Sequence, residues 1–302
     1  MSLTAGSHGP AAFTPPGAQL EVAAERPVSM AVMSDYELAH EYETINLYRR
    51  DAAAKLELNR PGSLNSWDRQ LGIDLLAAIR SVGADPAVRA VTITGAGRAF
   101  SSGADLKAGL GRTPAGDPDL YSVLTERYHP IIVGIREMPK PVIAAVNGGA
   151  IGIGLSLALA CDLVIAAESA YFLLAFVNIG LVPDGGSSVF VPARVGFARA
   201  AEMAMLGERI GAARALEWGL INQVWPDEEL AARADSLAGQ LAAGPTRSYA
   251  GAKRQLNSWL YDRMDKQLEL EAQIQQEAGG SADFAEGVLA FTQKRAPRFT
   301  GA

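Results

Sequence analysis

The sequence has little of what metal and disulfide sites require. Its 302 residues include one cysteine and three histidines. The single Cys161 excludes an intramolecular disulfide and a zinc site built from several cysteines. The histidines, at positions 8, 40 and 129, do not follow a metal-ligand spacing. We therefore expect neither a bound metal nor a bound cofactor.

A basic run and a long apolar run are also missing. The chain has 27 basic and 33 acidic residues, for a net charge of −6, which gives no electrostatic case for nucleic-acid binding. No stretch reaches the roughly 18 uninterrupted apolar residues of a membrane helix. No basic segment precedes an apolar core near the start, and the last residues are Phe-Thr-Gly-Ala. We expect a cytoplasmic protein without nucleic-acid or membrane partners.

The residue pattern divides the chain into three regions. Residues 1–40 are rich in Gly, Ala, Pro and Ser and show no periodicity, which predicts a flexible tail. Over residues 41–197, strand-like and helix-like segments alternate, which is typical of an α/β core. Residues 198–302 have an almost wholly helical pattern.

The core is organised around Pro139–Gly186. An apolar strand is predicted at Val142–Val146, followed by glycines at positions 148, 149, 152 and 154 and by a helix that starts near Ile153. The first amides of a helix lack intrahelical partners and lie at the positive end of its dipole, so they stabilise a negative oxygen. Close packing of strand and helix explains these glycines equally well. A dinucleotide site is a more distant alternative, because the acidic residue of that motif is missing.

Two further turns are candidates for a site. In the segment Ala99–Lys107, Gly103 lets the main chain turn so that the amide of Ala104 points outward. The same residues also fit an ordinary strand-to-loop turn. Asp184 precedes two glycines, and taken alone this pattern is typical of a turn.

Five segments, taken together, carry a resemblance to a known family. They are LNRPGSLNSW, ITGAGRAFSSGADLK, PKPVIAAVNGGAIGIG, GERIGAARALEWGLINQV and AFTQKRAPRF. The chain resembles the crotonase superfamily, also called the enoyl-CoA hydratase/isomerase family, over roughly residues 42–300. The resemblance implies a spiral of ββα units with a helical C-terminal trimerisation region. It also implies an acyl-CoA substrate, with coenzyme A as part of the thioester, and a homotrimer or dimer of trimers.

The resemblance also implies which residues form the site. The amides of Ala104 and Ile153 would hold the thioester oxygen while it becomes an enolate oxygen. Contacts with the substrate or its CoA part are implied for Ser102, Asp105, Leu106, Lys107, Gly149, Ser156, Phe176 and Lys294.

The chain departs from the hydratase pattern at two positions. Counted from the glycine turn, the two hydratase glutamates fall on Ser156 and Phe176, and neither residue can act as an acid or base. Asp184, by contrast, resembles the single acid/base of monofunctional Δ3,Δ2-enoyl-CoA isomerases. We therefore expect Asp184, with a pKa raised by apolar surroundings, to move a proton from C2 to C4 of a 3-enoyl-CoA. The alternatives are a hydratase or another crotonase-fold enzyme with a relocated acid/base, and a degenerate acyl-CoA binder.

Overall fold

The computed structural model describes residues 36–109 and 111–302, so most of the predicted tail lies outside the described residues. The strands are β1 (Glu37–Glu41), β2 (Ile45–Arg50), β3 (Ala53–Leu58), β4 (Ala90–Gly95), β5 (Ala99–Ser101), β6 (Val142–Val146), β7 (Gly149–Ile151), β8 (Leu163–Ala167), β9 (Tyr171–Leu173), β10 (Ile210–Gly211) and β11 (Gln223–Trp225). The α-helices are α1 (Arg69–Ala84), α2 (Leu120–Val123), α3 (His129–Glu137), α4 (Ile153–Ala160), α5 (Ser187–Leu206), α6 (Ala212–Glu217), α7 (Leu230–Ala243), α8 (Thr246–Leu260), α9 (Met264–Gly279) and α10 (Ala282–Gln293). A π-helical turn, Leu124–Tyr128, joins α2 to α3, and a 3-10 turn, Phe176–Ile179, follows β9.

The larger sheet has seven strands in the order β1-β2-β3-β4-β6-β8-β11. The first three strands are antiparallel, and from β3 onward every neighbouring pair is parallel. Every residue of β6 is buried, because a central strand of a parallel sheet is covered on both faces. This explains why the β6 sequence is a continuous apolar run and does not alternate with polar residues.

The smaller sheet has the order β10-β9-β7-β5, with β5, β7 and β9 parallel to one another. Consecutive strands alternate between the two sheets, since β4, β6 and β8 lie in the larger sheet and β5, β7 and β9 follow them in the smaller one. Gly148 lies at the corner between β6 and β7, where a Cβ atom would collide with the carbonyl oxygen of Arg98. The repeated strand pairs agree with the spiral of ββα units that the resemblance implies, in an α/β fold with a helical C-terminal region.

Helices cover the larger sheet. α1 packs on β2, β3 and α3, while α7 packs on β3, β4, β6 and β8. The core also contains large, fully buried side chains on the smaller sheet and on α5, namely Phe100, Phe172 and Phe190. In the C-terminal region, α9 contacts α2 and α5, and α10 contacts the 3-10 turn Phe176–Ile179.

The structure differs from the expected regions in two places. β1 overlaps the last four residues of the predicted tail and pairs with β2, although all five of its residues are exposed and so give no apolar pattern. The region after residue 198 is not wholly helical, because β10 and β11 each add a strand to a sheet. Residue 198 itself lies within α5, which bends at Gly196. The three-region division therefore stays a prediction.

Candidate active site

Three parallel strands of the smaller sheet end at one edge. The register pairs Ser101 with Ala150 and Ile151 with Leu173, so β5, β7 and β9 finish side by side. The amide of Gly152 donates a hydrogen bond of 2.9 Å to the carbonyl of Leu173, which ties two of these ends together. Residues that follow the carboxyl ends of parallel strands meet at the same edge of a sheet.

The Ala104 amide follows β5. The neighbouring amides and carbonyls bond to Trp67: its N–H donates to the carbonyl of Gly103 at 2.8 Å, and its carbonyl accepts from Asp105 at 3.0 Å. These two hydrogen bonds make a parallel bridge between Trp67 and Ala104, in which the N–H of Ala104 itself points away from Trp67. Gly103 has φ +87°, and a Cβ there would lie 2.9 Å from the carbonyl oxygen of Ile151. The glycine therefore allows the ends of β5 and β7 to approach closely.

The Ile153 amide follows β7 and is the first amide of α4. Gly152, with φ +54°, forms the N-cap without a side-chain hydrogen bond. All eight residues of α4 are buried, so the positive end of the helix dipole lies in an environment with little water. Phe176, which is 7% exposed, begins the 3-10 turn after β9, and its ring packs beside Gly152.

Asp184 lies in the loop before α5, and its side chain is almost inaccessible, with 4% exposed. Its Oδ2 accepts a hydrogen bond from Nε2 of Gln275 at 2.8 Å. Its Oδ1 is buried and has no hydrogen-bond partner in the described part of the chain. The next residue, Gly185, packs so closely on Ile153 that a Cβ would collide with the Ile153 side chain. The structure thus brings the loop of Asp184 against the start of α4.

The environment of Asp184 favours its neutral form. Burial raises the pKa of Asp184 well above its usual range, and the nearby charge of Glu271 raises it further, while the hydrogen bond from Gln275 acts in the opposite direction. The direction of this pKa shift agrees with the expectation from the sequence. A carboxyl group of this kind can accept a proton from a weak carbon acid and release it again.

Ser156 contacts the Asp184 loop from α4. Its side chain is fully buried, and its Oγ donates a hydrogen bond of 2.7 Å to the main-chain carbonyl of Asp184. The hydroxyl of Ser187 donates to the same carbonyl at 2.8 Å. Ser156 therefore holds the main chain of Asp184 against α4.

Other residues expected near the substrate have different surroundings. Asp105 is held by Ser66 Oγ at 3.1 Å and forms an ion pair with Arg60 at 3.3 Å. Ser102 Oγ donates to the carbonyl of Ser63 at 3.3 Å. The segment around them stays accessible: Leu106 is partly exposed, and Lys107, like Ala104, is exposed. Their contacts with CoA stay a prediction.

Two expected residues are not brought together with Asp184. Gly149 is at the amino end of β7, where the Tyr171 ring occupies the space of the missing side chain. Lys294 is an exposed residue that ends α10 with φ +54°.

Two residues that the sequence interpretation missed complete the surroundings of Asp184. Glu271 and Gln275 lie one turn apart on α9, with exposed fractions of 3% and 1%. The carboxylate of Glu271 accepts hydrogen bonds from the amides of Gly186 at 2.8 Å and Ser188 at 3.1 Å. Burial raises the pKa of Glu271 to about 7. The sequence pattern could have indicated them, because Glu271 and Gln275 share the helix face of Leu268, which is otherwise apolar.

The described part of the chain contains neither a candidate metal cluster nor a candidate membrane helix. Within the described ranges, no group of three or more His, Cys, Asp or Glu side chains is arranged to hold a metal ion. In the same part of the chain, no helix combines the length and apolar character needed to cross a membrane.

Fold and site together define an α/β protein with paired-strand repeats and a buried aspartate, Asp184, whose loop packs against the start of a helix. The family model described as enoyl-CoA hydratase/isomerase matches residues 49–302. The chain belongs to the enoyl-CoA hydratase/isomerase family, within the crotonase superfamily. It is therefore an enzyme of a family that acts on CoA thioesters.

Similar proteins carry both hydratase and isomerase names. The chain is 43% identical to the "probable enoyl-CoA hydratase" of Rhodobacter capsulatus, over 86% of this chain and 99% of that protein. It is 44% identical to the 1,2-epoxyphenylacetyl-CoA isomerase of Escherichia coli, over 82% of this chain and 94% of that protein. The crystal structure of an enoyl-CoA hydratase from Mycobacterium avium subsp. paratuberculosis aligns with a TM-score of 0.78 and 39% identity, over 86% and 100% of the two chains.

Proposed function

We propose that the protein is an enoyl-CoA isomerase that shifts a 3-enoyl-CoA double bond to the 2-position. The observation that carries the proposal is the buried Asp184, whose Oδ1 has no partner among the described residues and whose loop packs on Ile153. Ser156 and Phe176, at the two hydratase-glutamate positions, have no carboxylate to activate water.

The chemistry needs one base and a place for negative charge. The C2 proton of a 3-enoyl-CoA is acidified by the thioester on one side and the alkene on the other. Asp184 removes this proton, and the charge moves to the thioester oxygen, where the Ala104 and Ile153 amides stabilise it. Each such donor is worth about 3 kcal/mol in known oxyanion sites. The protonated Asp184 then returns the proton at C4.

Replacing Asp184 tests the proposal directly. The Asp184→Asn variant keeps the shape of the side chain but cannot accept the proton, so its kcat for 3-hexenoyl-CoA is expected to fall by about 10²–10⁴-fold. Binding of the CoA ester, measured by calorimetry, is expected to stay near the wild-type value. Asp262→Asn, at an exposed position, is the matched control. An Asp184→Asn variant with wild-type turnover would refute the proposed role.

A hydratase is the second candidate, because relatives of high similarity carry that name. It requires another carboxylate to activate water, and Glu271 is a buried candidate beside the loop of Asp184. Both oxygens of Glu271, however, already accept amide hydrogen bonds from Gly186 and Ser188, which disfavours a catalytic role. Incubation with crotonyl-CoA and detection of 3-hydroxybutyryl-CoA separates the two candidates, since rapid hydration would favour the hydratase.

The acyl group and the case of an inactive binder need separate measurements. The relative from Escherichia coli is named as an isomerase of 1,2-epoxyphenylacetyl-CoA, so a substrate panel should contain this compound beside 3-enoyl-CoA esters of several lengths. Deuterium exchange at C2 of a bound acyl-CoA distinguishes an enzyme from a degenerate binder. Absence of both exchange and isomerisation with every ester would favour the binder.

A further inference from the structure

Gln275 holds the Asp184 carboxylate in one orientation. Its Nε2 donates to Oδ2 of Asp184 at 2.8 Å, and its Oε1 accepts from the amide of Val182 at 3.0 Å. A main-chain N–H can only donate, so Oε1 of Gln275 must face Val182 and Nε2 must face Asp184. A flipped amide would set oxygen against oxygen and N–H against N–H. The side chain is buried, so water does not compete for these hydrogen bonds.

This hydrogen bond makes the two oxygens of Asp184 unequal. In a neutral carboxylic acid, one oxygen carries the hydrogen and the other is a carbonyl oxygen, which is the better acceptor. Because Gln275 donates to Oδ2, the carbonyl role falls to Oδ2 and the hydrogen to Oδ1. Oδ1 is the oxygen that is buried and has no partner in the part of the chain described here.

The main chain around Asp184 is fixed as well. Ser156 donates to the carbonyl of Asp184 from α4, while Glu271 binds the amides of Gly186 and Ser188 from α9. With Val182 held by Gln275, the loop is anchored before, at and after Asp184. The loop therefore cannot move to follow a rotated carboxylate, and rotation would break the hydrogen bond from Gln275.

We propose that Gln275 is a positioning residue that reserves Oδ1 of Asp184 as the single oxygen that takes and returns the proton. This inference rests on the proposed isomerase function. In the first step the C2–H bond breaks, an Oδ1–H bond forms, and the electron pair moves towards the thioester oxygen. In the second step the Oδ1–H bond breaks, a C4–H bond forms from the dienolate electrons, and the C2=C3 double bond remains. Because one buried oxygen serves both steps, the hydrogen stays on one face of the substrate and exchanges little with water.

A substrate labelled with deuterium at C2 tests the inference in ordinary water. Wild-type enzyme is expected to carry part of the deuterium to C4 of the 2-enoyl product, as measured by mass spectrometry. Gln275→Met removes the donor at similar side-chain length and frees the carboxylate to rotate. Its kcat is expected to fall on the order of 10- to 100-fold, with KM near the wild-type value and less deuterium at C4.

Two further variants separate the hydrogen bond from packing. Gln273→Met makes the same substitution at an exposed position of α9, where the side chain donates to Glu269, and is expected to behave as wild type. Gln275→His retains an N–H donor and is expected to keep more turnover and more label transfer than Gln275→Met. Equal losses in the His and Met variants would contradict the inference, because packing alone would then explain them.

The outcomes distinguish this inference from the function on which it rests. Wild-type turnover and label transfer in Gln275→Met would overturn the positioning role and leave the isomerase intact. A wild-type enzyme without isomerase turnover would overturn both. If Gln275→Met does not fold, Gln275→Leu takes its place, since an apolar side chain cannot donate to Oδ2. Unchanged turnover in that variant would equally overturn the inference.

Discussion

At the scale of single residues, the charge of Asp184 depends on what surrounds it. Burial and the charge of Glu271 raise its pKa, and Gln275 moderates the increase. Tyr128, on the π-helical turn, faces the same region, and burial followed by the charge of Asp184 raises its pKa too, so it stays neutral. The negative charge of Glu271 therefore favours the neutral form of Asp184.

The direction of these shifts predicts a pH dependence. A neutral Asp184 cannot accept a proton, so kcat/KM is expected to rise with pH through a pKa above that of ordinary aspartate. Glu271→Gln removes a negative charge that favours the neutral acid, and the rising limb should therefore move to lower pH. A profile from pH 5 to 9 measures this, with the exposed Glu277→Gln on the same helix as control. A shift to higher pH in Glu271→Gln would contradict the prediction.

At the scale of secondary-structure elements, a cluster of charges connects α8 to the core. Lys253 of α8 donates to Asp162 at 2.8 Å and to the carbonyl of Ile135 at 2.7 Å. Asp162 also pairs with Arg136 of α3 at 3.1 Å and accepts from the amide of Val142 at 2.9 Å. The two cations have side chains that are 7% exposed, so both depend on the same carboxylate.

Removal of that carboxylate is expected to destabilise the fold without altering the reaction. Asp162→Ala leaves the two buried cations without their carboxylate partner. The free energy of unfolding is expected to fall by about 3 kcal/mol. This is the lower end of the range for buried ion pairs, because the Asp162 side chain is partly exposed. Tm should fall by roughly 6–12 °C, measured by calorimetry. Asp262→Ala, at an exposed position, should leave Tm unchanged. An Asp162→Ala protein as stable as wild type would show that the cluster is unimportant for stability.

At the scale of the whole molecule, several large apolar side chains of the single chain are exposed to solvent. Trp259 and Phe197 are 85% and 83% exposed, and Met205 is 72% exposed. Exposed apolar side chains of this size often mark a surface that another chain covers. They support the proposal that the protein is a homotrimer or a dimer of trimers.

The assembly can be measured by sedimentation equilibrium. We expect a mass three or six times that of one chain, and a monomer at micromolar concentration would refute the proposal. Burial of a large apolar side chain contributes about 1.5–3 kcal/mol, so Trp259→Ser is expected to weaken association by roughly 10- to 100-fold. Leu38→Ser, at a half-exposed position of β1, is the matched control.

Local patterns predicted the parts of the fold that depend on neighbouring residues. The apolar run Val142–Val146 and the helix from Ile153 are confirmed, because a buried parallel strand and a helix start after glycine leave short-range signals. β1 was missed, since its exposed residues carry no such signal. The π-helical turn Leu124–Tyr128 was not predicted either, because its i to i+5 hydrogen bonds leave no pattern in the residues.

The sequence by itself determined the family, the alternation of strand-like and helix-like segments in the core, and the choice of Asp184 as the candidate acid/base. Only the tertiary structure decided which groups control that carboxylate. Gln275 lies 91 residues further along the chain, and Glu271 is separated from Gly186 by 85 residues. Periodicity reports which face of α9 is buried, but not what lies against it. The environment of Asp184 is therefore a property of packing between distant elements, because burial and hydrogen bonding act through space.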